Sequence, residues 1–437
     1  MRLPKIPAGR SAHLRGRPAT GTYLPTLAAL TATLLLAAGC GGGGTEKPDN
    51  AATTSGADTT AVLGPTAMAT GEPIRIGVVT EGKTAIGDET IQNRAAQAGV
   101  KYLNEHRSGL SGRPIKLVEC TTQLDPAKGT DCGNRMIEEN VVAVLIGTTA
   151  VVQSIWTPLA AAKIPVMLYG TGDEALLTDS ESTFVLADPL FPVVDLPLQI
   201  AKREHADKVT SIVIDVPAAL ASQTTIAPPL FKKAGIDFSL VTVPPGTADM
   251  TPQMQDVVSR NPGVVFIAGN DAFCISAMNG LRATGYTGTI TAVSQCITDA
   301  TRTAVSAETL DGVIISSYSP IGTDNPSNRL YKTVVDTYGK NIDPSIADGL
   351  AMFTVLAGFQ TAVGHISGDI TPQSVAAAIR SMPEQELPGA GGLRFRCNGK
   401  AYPETPAVCL RGGLVATLDK HGDPAAYDVS GNTPIGN

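Results

Sequence analysis

The feature that most constrains the fold is a regular alternation of short apolar segments with amphipathic segments, which begins at Ile74. Residues 74–79 form an apolar run typical of a buried strand, and apolar side chains then recur on one helical face after Asp88. The alternation restarts after residues 188–189 and continues to about Ser316. Such alternation predicts an α/β protein with two doubly wound, Rossmann-like lobes of parallel strands covered by helices.

Two further helices are predicted beyond these strands. Residues 343–364 are apolar nearly all round, which indicates a buried helix, and another helix begins at Thr371-Pro372. The tail, residues 393–418, is divided by Gly and Pro into segments that favour short strands.

Cys40 marks a boundary near the N-terminus. It follows the apolar residues 34–39 and precedes four glycines, and the segment upstream is basic. The pattern predicts a secretory signal peptide over residues 1–39. It resembles a bacterial lipoprotein signal, whose cysteine receives a diacylglycerol group, with Ala37 where leucine is commoner. The alternatives are an ordinary secretory signal or a membrane anchor, but residues 23–38 fall short of the ~20 needed to cross a bilayer.

The segment after Cys40 is low in groups that build a core. Residues 41–73 contain no aromatic side chain and are rich in Gly, Ala, Thr and Asp. Because such a composition buries too little apolar surface to become ordered, residues 40–73 are predicted to be a lipidated, flexible tether. The two acyl chains would suffice to hold the protein at a membrane.

The net charge of the chain argues against binding to nucleic acid and against electrostatic docking on anionic lipid. Residues 1–39 carry five basic and no acidic residues, so their removal takes the formal net charge of the 437-residue chain from −7 to −12. Nucleic-acid binding needs a basic surface, and electrostatic docking on anionic lipid needs one too. We therefore expect no nucleic-acid partner, and contact with the membrane only through the lipid.

The chain contains seven cysteines, and six remain when Cys40 is set aside. An even number in an exported protein favours disulfides, although six cysteines allow 15 pairings. Proximity along the chain favours three pairs: Cys120 with Cys132, Cys274 with Cys296, and Cys397 with Cys409. Zinc is the alternative, but there is no Cys-x-x-Cys motif and the five histidines are scattered, so no metal or other cofactor is expected.

Several local patterns occur together in a familiar order. They are IRIGVVTEGKTAIGDE at 74–89, GLSGRPIKLV at 109–118, VVAVLIGTT at 141–149, PLAAAKIPVM at 158–167, ADMTPQMQDVVSRNPGVVFIAGN at 248–270 and LRATGYTGTI at 281–290. This ordered set resembles the type I periplasmic binding proteins, most closely the branched-chain amino-acid receptors of ABC importers (the Leu/Ile/Val-binding group). The resemblance covers residues 74–418.

The resemblance implies two lobes joined by a three-strand hinge, with a ligand held between them. Lobe one would comprise residues 74–188 and 320–386, and lobe two residues 189–319. Residues 387–437 would pack near the hinge.

The resemblance also implies a function. The chain would be an extracytoplasmic lipoprotein on the outer face of the bacterial cytoplasmic membrane. It would bind an amino acid, an amide or a small carboxylate, act as a monomer and deliver its ligand to the permease of an ABC importer. The alternative is a ligand-sensing or envelope-interaction lipoprotein on the same fold. An enzyme is not expected, because the chain lacks a Gly-x-Ser-x-Gly elbow, a His-Glu-x-x-His motif and a Walker phosphate loop.

Candidate ligand contacts follow from the sheet rule that ligands lie beyond the carboxyl ends of the strands. Lobe one offers Thr80, Thr148, Thr149, Gly170 and Thr171, and lobe two offers Asp215, Asn270, Asp271, Gln295 and Tyr318. Thr148 and Thr149 precede a predicted helix, where free N–H groups would suit a carboxylate. The alternative is that Thr149 only caps that helix. The resemblance places Thr149 and Thr171 near the positions that bind the ligand's carboxylate and amine.

The sequence departs from the family pattern in lobe two. Residues 215–219 lack the tyrosine that amino-acid binders often carry, and Gln295 stands where the family often has an acid for the ligand's ammonium group. Asp271 is the candidate replacement, with a simply solvated side chain as the alternative. We therefore expect a small polar or anionic ligand, not necessarily a leucine-type amino acid.

Overall fold

The computed structural model of the protein describes residues 56–84 and 88–436. The predicted signal peptide, Cys40 and the tether up to residue 55 lie outside the described residues. Among those that are described, no helix is long and apolar enough to span a membrane.

The last part of the predicted tether packs against the folded body. Helix α1 (Gly56–Leu63) ends at Leu63, which is only 5% exposed. The N–H groups of Ala67 and Ala69 then donate to the carbonyls of Glu105 and Asn104, both at 2.7 Å. This differs from the predicted flexible segment, because one apolar side chain and paired backbone groups attach residues 63–70 although the composition is poor in core-forming residues.

The first sheet has five parallel strands in the order β2-β1-β3-β4-β5. These are β1 (Ile74–Thr80), β2 (Ile115–Thr121), β3 (Val144–Ile146), β4 (Val166–Leu168) and β5 (Thr183–Val185). Its helices are α2 (Thr90–His106), α3 (Pro126–Glu138), α4 (Val152–Ala161), α5 (Glu174–Thr178), α13 (Pro326–Tyr338), α14 (Ala347–Val363) and α15 (Pro372–Ser381). We keep the name lobe one for this sheet and its helices.

The second sheet has seven strands in the order β14-β13-β10-β9-β8-β6-β7. These are β6 (Lys208–Ile214), β7 (Asp237–Val243), β8 (Val264–Ala268), β9 (Ile290–Val293), β10 (Ile314–Ser317), β13 (Gly413–Thr417) and β14 (Asp428–Ser430). A π-helix (Phe191–Asp195), α6 (Leu196–Arg203), α7 (Pro217–Thr225), α8 (Ala227–Lys233), α9 (Thr251–Ser259), α10 (Asp271–Ala283), a 3₁₀-helix (Ser294–Cys296), α11 (Asp299–Ala304) and α12 (Ala307–Leu310) complete lobe two. A two-stranded ribbon, β11 (Gln385–Glu386) with β12 (Arg394–Phe395), stands apart from both sheets.

The two lobes repeat one topology. In each, the first strand lies between the second and the third, giving β2-β1-β3-β4-β5 and β7-β6-β8-β9-β10. All pairs within these two five-strand sets are parallel, so the predicted α/β fold with two Rossmann-like lobes is confirmed.

Helix α14 forms the centre of the lobe-one core. Leu350, Phe353, Leu356 and Phe359 are all fully buried, and the ring of Phe353 lies 5.5 Å from that of Tyr331 on α13. A helix that is apolar nearly all round must be enclosed on every side, as the sequence predicts.

The C-terminal segment pairs with strands of both lobes. Val408 forms a parallel bridge with Val185 at the end of β5, whereas β13 adds to lobe two by antiparallel pairing with β10. The segment predicted to pack near the hinge thus connects lobe one to the edge of the lobe-two sheet.

Asp188 lies where three connections between the lobes meet. Its buried carboxylate accepts hydrogen bonds from the N–H groups of Leu190, at 3.0 Å, and Gly412, at 2.9 Å, and from the hydroxyl of Tyr402. Its carbonyl accepts from the hydroxyl of Tyr318 at 2.6 Å. Asp188 therefore ties the outgoing connection to two later ones, through its carboxylate to residues 402 and 412 and through its carbonyl to Tyr318.

Among the described residues there are three disulfides, and they join the pairs favoured by proximity. Cys120 at the end of β2 is bonded to Cys132 on α3, and Cys274 on α10 to Cys296 in the 3₁₀-helix. The third joins Cys397 and Cys409 in the C-terminal segment. Each lobe therefore carries one disulfide close to a strand end.

Candidate functional site

The strand order identifies one crevice in each lobe. Ligands of doubly wound sheets bind at the switch point, where strand order reverses beyond the carboxyl ends of the strands. In lobe one the switch point lies between β1 and β3, and in lobe two between β6 and β8. The loops that follow these four strands are therefore the structural candidates for a binding site.

Several amides at the switch point of lobe one are bonded to side chains of the chain itself. The N–H of Thr148 donates to Oε1 of Gln92 at 3.0 Å, and the N–H of Ala150 donates to Oε1 of Glu81 at 2.6 Å. The N–H of Val151 donates to Oγ1 of Thr149 at 3.2 Å. Three amides near the predicted anion site, those of Thr148, Ala150 and Val151, are therefore engaged by side chains of the chain itself.

Thr148 belongs to a polar network inside lobe one. Its hydroxyl donates to Oδ1 of Asp348 at 2.7 Å and accepts from Nε2 of Gln92 at 2.8 Å. Gln92 is fully buried on α2, and Asp348 lies in the first turn of α14. Two helices distant in the sequence, α2 and α14, thus hold the loop after β3 in place.

Negative charge gathers around this network. Burial raises the pKa of Glu89, and the nearby carboxylates of Asp348 and Glu81 raise it further, against a hydrogen bond from Gln92. In the part of the chain that the structure describes, none of these three carboxylates forms an ion pair. The lobe-one switch point therefore disfavours added negative charge.

The other predicted residues of lobe one differ in their placement. Thr80 is fully buried, and its hydroxyl donates to Oδ1 of Asn93 on α2 at 2.7 Å, so it points into the lobe and away from a ligand. Gly170 is exposed after β4, and Oγ1 of Thr171 accepts from the N–H of Asp173 at 3.0 Å. Of these three, Gly170 and Thr171 lie at the carboxyl edge of the sheet and Thr80 is directed inward.

The carboxyl ends of the lobe-two strands carry polar side chains that are more exposed. Asp215 follows β6 and Gln295 follows β9; both are exposed, and their side chains make no hydrogen bond to a described residue. Asn270 caps α10 by accepting from the N–H of Phe273 at 2.9 Å. Asp271 lies in the first turn of α10, and its Oδ2 accepts from the hydroxyl of Thr298 at 3.4 Å.

Two tyrosines lie between the lobes. The rings of Tyr169, after β4, and Tyr318, after β10, meet edge to face with centroids 6.2 Å apart. Burial raises the pKa of both phenols well above the usual value, and Tyr318 is already bonded to Asp188. Tyr318 was predicted as a ligand contact, but its hydroxyl serves the hinge.

The predicted residues therefore form two half-sites. Among the described residues, hydrogen bonds join Thr148 to Gln92 and Asp348 in lobe one, and Asp271 to Thr298 in lobe two, but none links one group to the other. Glu81 was missed, although it lies beside the predicted Thr80. Asp348 was missed because it is 200 residues from Thr148 and no local pattern connects them.

Surface cavities do not mark the same place. A cavity of about 340 Å³ on lobe one is lined by residues that include Tyr102, Leu330 and Gln360, on α2, α13 and α14. It lies away from both switch points. We prefer the switch points because polar side chains from several strand ends converge there.

Comparison with known proteins agrees with this geometry. The sequence model of the family described as periplasmic binding protein matches residues 73–411. A search of curated proteins found no match.

Solved structures of the same fold come from several bacteria. A branched-chain amino acid ABC transporter protein of Rhodospirillum rubrum is 15% identical, with 81% of this chain and all of that chain covered, at a TM-score of 0.69. A solute-binding protein of Rhodopseudomonas palustris in complex with p-hydroxybenzoic acid is 17% identical, with coverage of 83% and 98% and a TM-score of 0.61. The leucine-binding protein LivK of Thermotoga maritima is 16% identical, with coverage of 82% and 97% and a TM-score of 0.56. At these identities the likeness establishes the fold alone.

Proposed function

Because the chain belongs to the periplasmic binding protein family, we propose that it is a solute-binding protein that holds a small polar molecule between its two lobes. The observation that carries the proposal is the repeated strand order, which gives each lobe a switch point. A ligand gripped by both would favour a closed arrangement of the lobes over an open one.

The contacts that we propose for the ligand come mainly from exposed polar groups. Asp215 and Gln295 of lobe two have side chains that form no hydrogen bond to a described residue, and Asp271 begins α10, after β8. In lobe one, Thr149, Gly170 and Thr171 lie along the carboxyl edge of the sheet. No catalytic role is proposed for any of these residues.

The partner and location that we propose follow the family. The bound solute is passed to the permease of an ABC importer, and the closed pair of lobes is the form that the permease recognises. The protein acts as a monomer on the outer face of the cytoplasmic membrane, attached through a diacylglycerol group on Cys40. Transfer of a radiolabelled palmitate to the wild-type protein but not to a Cys40→Ala variant tests the anchor.

Binding is tested first with purified protein from residue 41 onward, unfolded and refolded to remove ligand. A thermal-shift screen covers amino acids, amides, amines and small carboxylates. A ligand at 100 times its Kd stabilises the native state by about 2.7 kcal/mol, which gives a readable rise in Tm. A hit that also reduces the radius of gyration in solution scattering supports the proposal. Absence of any hit with folded, ligand-free protein contradicts it and favours a sensing or scaffolding role.

A further inference from the structure

We propose that Glu81 determines the specificity of the site, by excluding a ligand carboxylate from the loop before α4 and selecting ligands that present an amine to lobe one. The inference rests on the proposed function, since it names the class of solute that the two lobes would hold. It goes further in assigning a role to a residue that neither the family match nor the strand topology singles out.

The position of Glu81 explains why a ligand carboxylate would be excluded. Glu81 directly follows β1 and Ala150 follows β3, so their hydrogen bond of 2.6 Å spans the lobe-one switch point. An N–H group beside a helix start is an ordinary partner for an anion. Here that partner is taken by a carboxylate of the chain itself. A ligand carboxylate would have to displace Glu81 and would leave a second negative charge beside it.

Two neighbouring amides are also taken by groups of the chain itself. The N–H groups of Thr148 and Val151 are bonded to Gln92 and Thr149. Because Gln92 is fully buried and also donates to the hydroxyl of Thr148, it is held in place from both sides. Displacing Gln92 would break its four side-chain hydrogen bonds to Thr148 and Glu89.

The carboxylate of Glu81 also has one oxygen available to accept a hydrogen bond from an amine. Only Oε1 accepts a hydrogen bond from a described residue, which leaves Oε2 as an acceptor at the switch point. Glu89 and Asp348 add negative charge nearby without forming ion pairs to described residues. An ammonium group brings donors and a positive charge, and a charge-assisted hydrogen bond to Oε2 is stronger than one between neutral groups.

The first test needs no identified ligand. Sodium acetate is titrated into ¹⁵N-labelled protein, and the amide resonance of Ala150 is followed by NMR. We expect a saturable shift in Glu81→Ala, where the amide is open, and none in the wild type. Glu81→Gln keeps an acceptor for that amide, so a response well below that of Glu81→Ala is expected. Glu89→Ala is the matched control, because it removes a nearby charge and leaves the Ala150 bond intact.

Two results of the titration would overturn the proposal. One is an acetate response of Ala150 in the wild type equal to that in Glu81→Ala. The other is no response in folded Glu81→Ala. Glu81 is only half-buried, so these variants are expected to fold.

The second test compares ligands that differ in one group. Isothermal titration uses leucine, leucinamide and isoamylamine as one set, and 4-hydroxybenzoate, 4-hydroxybenzamide and 4-hydroxybenzylamine as another. In whichever set binds, the wild type should prefer the amine to the acid at least tenfold. Glu81→Ala should reduce that ratio at least tenfold, whereas Glu89→Ala should change it less.

Failure of the proposed function looks different from failure of this inference. Tight binding of acids by the wild type, or an amine-to-acid ratio that Glu81→Ala leaves unchanged, overturns the role of Glu81 and leaves solute binding intact. If neither set nor the wider screen gives a ligand, the solute-binding function fails. The acetate titration then still decides whether Glu81 blocks the amide.

Discussion

Lobe one and lobe two share a strand order but differ in the polar groups that they leave free at the carboxyl ends of their strands. In lobe one, three amides after β3 are bonded to the side chains of Glu81, Gln92 and Thr149. In lobe two, Asp215 and Gln295 are exposed and have no side-chain partner among the described residues. The strand order therefore determines where a ligand can bind, and the side chains determine which lobe has hydrogen-bonding groups that are free to contact it. A binding protein built this way would discriminate against ligands in lobe one and recruit them in lobe two.

Asp188 joins the connections between the two lobes, and its replacement is expected to have the largest effect on stability. Asp188→Ala would leave the buried N–H groups of Leu190, Phe191 and Gly412 and the hydroxyl of Tyr402 without their acceptor. We expect a loss of about 3–5 kcal/mol in the free energy of unfolding, since each unsatisfied buried donor is costly. Urea denaturation followed by circular dichroism measures it.

The matched control for Asp188 is Asp173→Ala. Asp173 caps α5 by accepting from the N–H of Ala175 at 2.9 Å, and loss of a cap costs about 1 kcal/mol. Equal losses in the two variants would mean that Asp188 is an ordinary cap and does not tie the lobes together.

The disulfides allow the lobes to be compared one at a time. Replacing both cysteines by serine removes Cys120–Cys132 from lobe one or Cys274–Cys296 from lobe two. Each replacement is expected to lower the free energy of unfolding by about 2–4 kcal/mol. The lobe-two disulfide closes the longer loop, 22 residues against 12, so its loss should lower the stability by about 0.5 kcal/mol more. Chemical denaturation of both variants checks this. A larger loss in the lobe-one variant would contradict the loop-length argument.

Asp195, at the start of lobe two, predicts a dependence on pH. Burial, together with the nearby carboxylate of Asp188, raises the pKa of Asp195 to about 6, although Lys202 partly opposes this. A raised pKa means that the native state favours the protonated acid. The associated stability is present below about pH 4 and is lost as pH rises through about 6.

Asp195→Asn removes that charge, so it should stabilise the protein by about 1–3 kcal/mol at pH 8. The gain should shrink below pH 6 and vanish near pH 4. Thermal unfolding of both proteins across pH 4–8 measures the difference. A gain that is independent of pH would assign the effect to packing and not to ionisation.

Replacement of Asn270 is expected to have the smallest effect on stability, and it tests whether Asn270 caps α10 or contacts the ligand. If its part is to cap α10, Asn270→Ala should cost about 1 kcal/mol, and Asn270→Asp should restore most of it. Ligand affinity should then change little in Asn270→Asp. A large loss of affinity with unchanged Tm would make Asn270 a ligand contact instead.

The sequence predicted most of the fold because long apolar runs and helical periodicity are local signals. The buried strands of both lobes and the enclosed helix α14 were found in this way. Helix α13 was not predicted, although Asn325 caps it, Pro326 opens it, and Tyr331 and Val334 mark a buried face. These residues would have predicted helix α13 from the sequence alone.

The site was harder to predict, for physical reasons. Thr80 was placed at the site because it ends β1, but strand position alone does not say which way the last side chain points. The bond from Ala150 to Glu81 joins residues 69 apart, and the bond from Thr148 to Asp348 joins residues 200 apart. Whether an amide near a helix start is free depends on such distant partners, which only the folded chain brings together.

The attachment of residues 63–70 to lobe one has a mechanical consequence. A pull on the N-terminal end of the chain enters the folded body through Ala67 and Ala69, whose amides are bonded to the end of α2. That load does not pass through Asp188. In a protein tethered by its N-terminus, lobe one would therefore be the fixed frame and lobe two the moving arm, so opening and closing would not work against the tether.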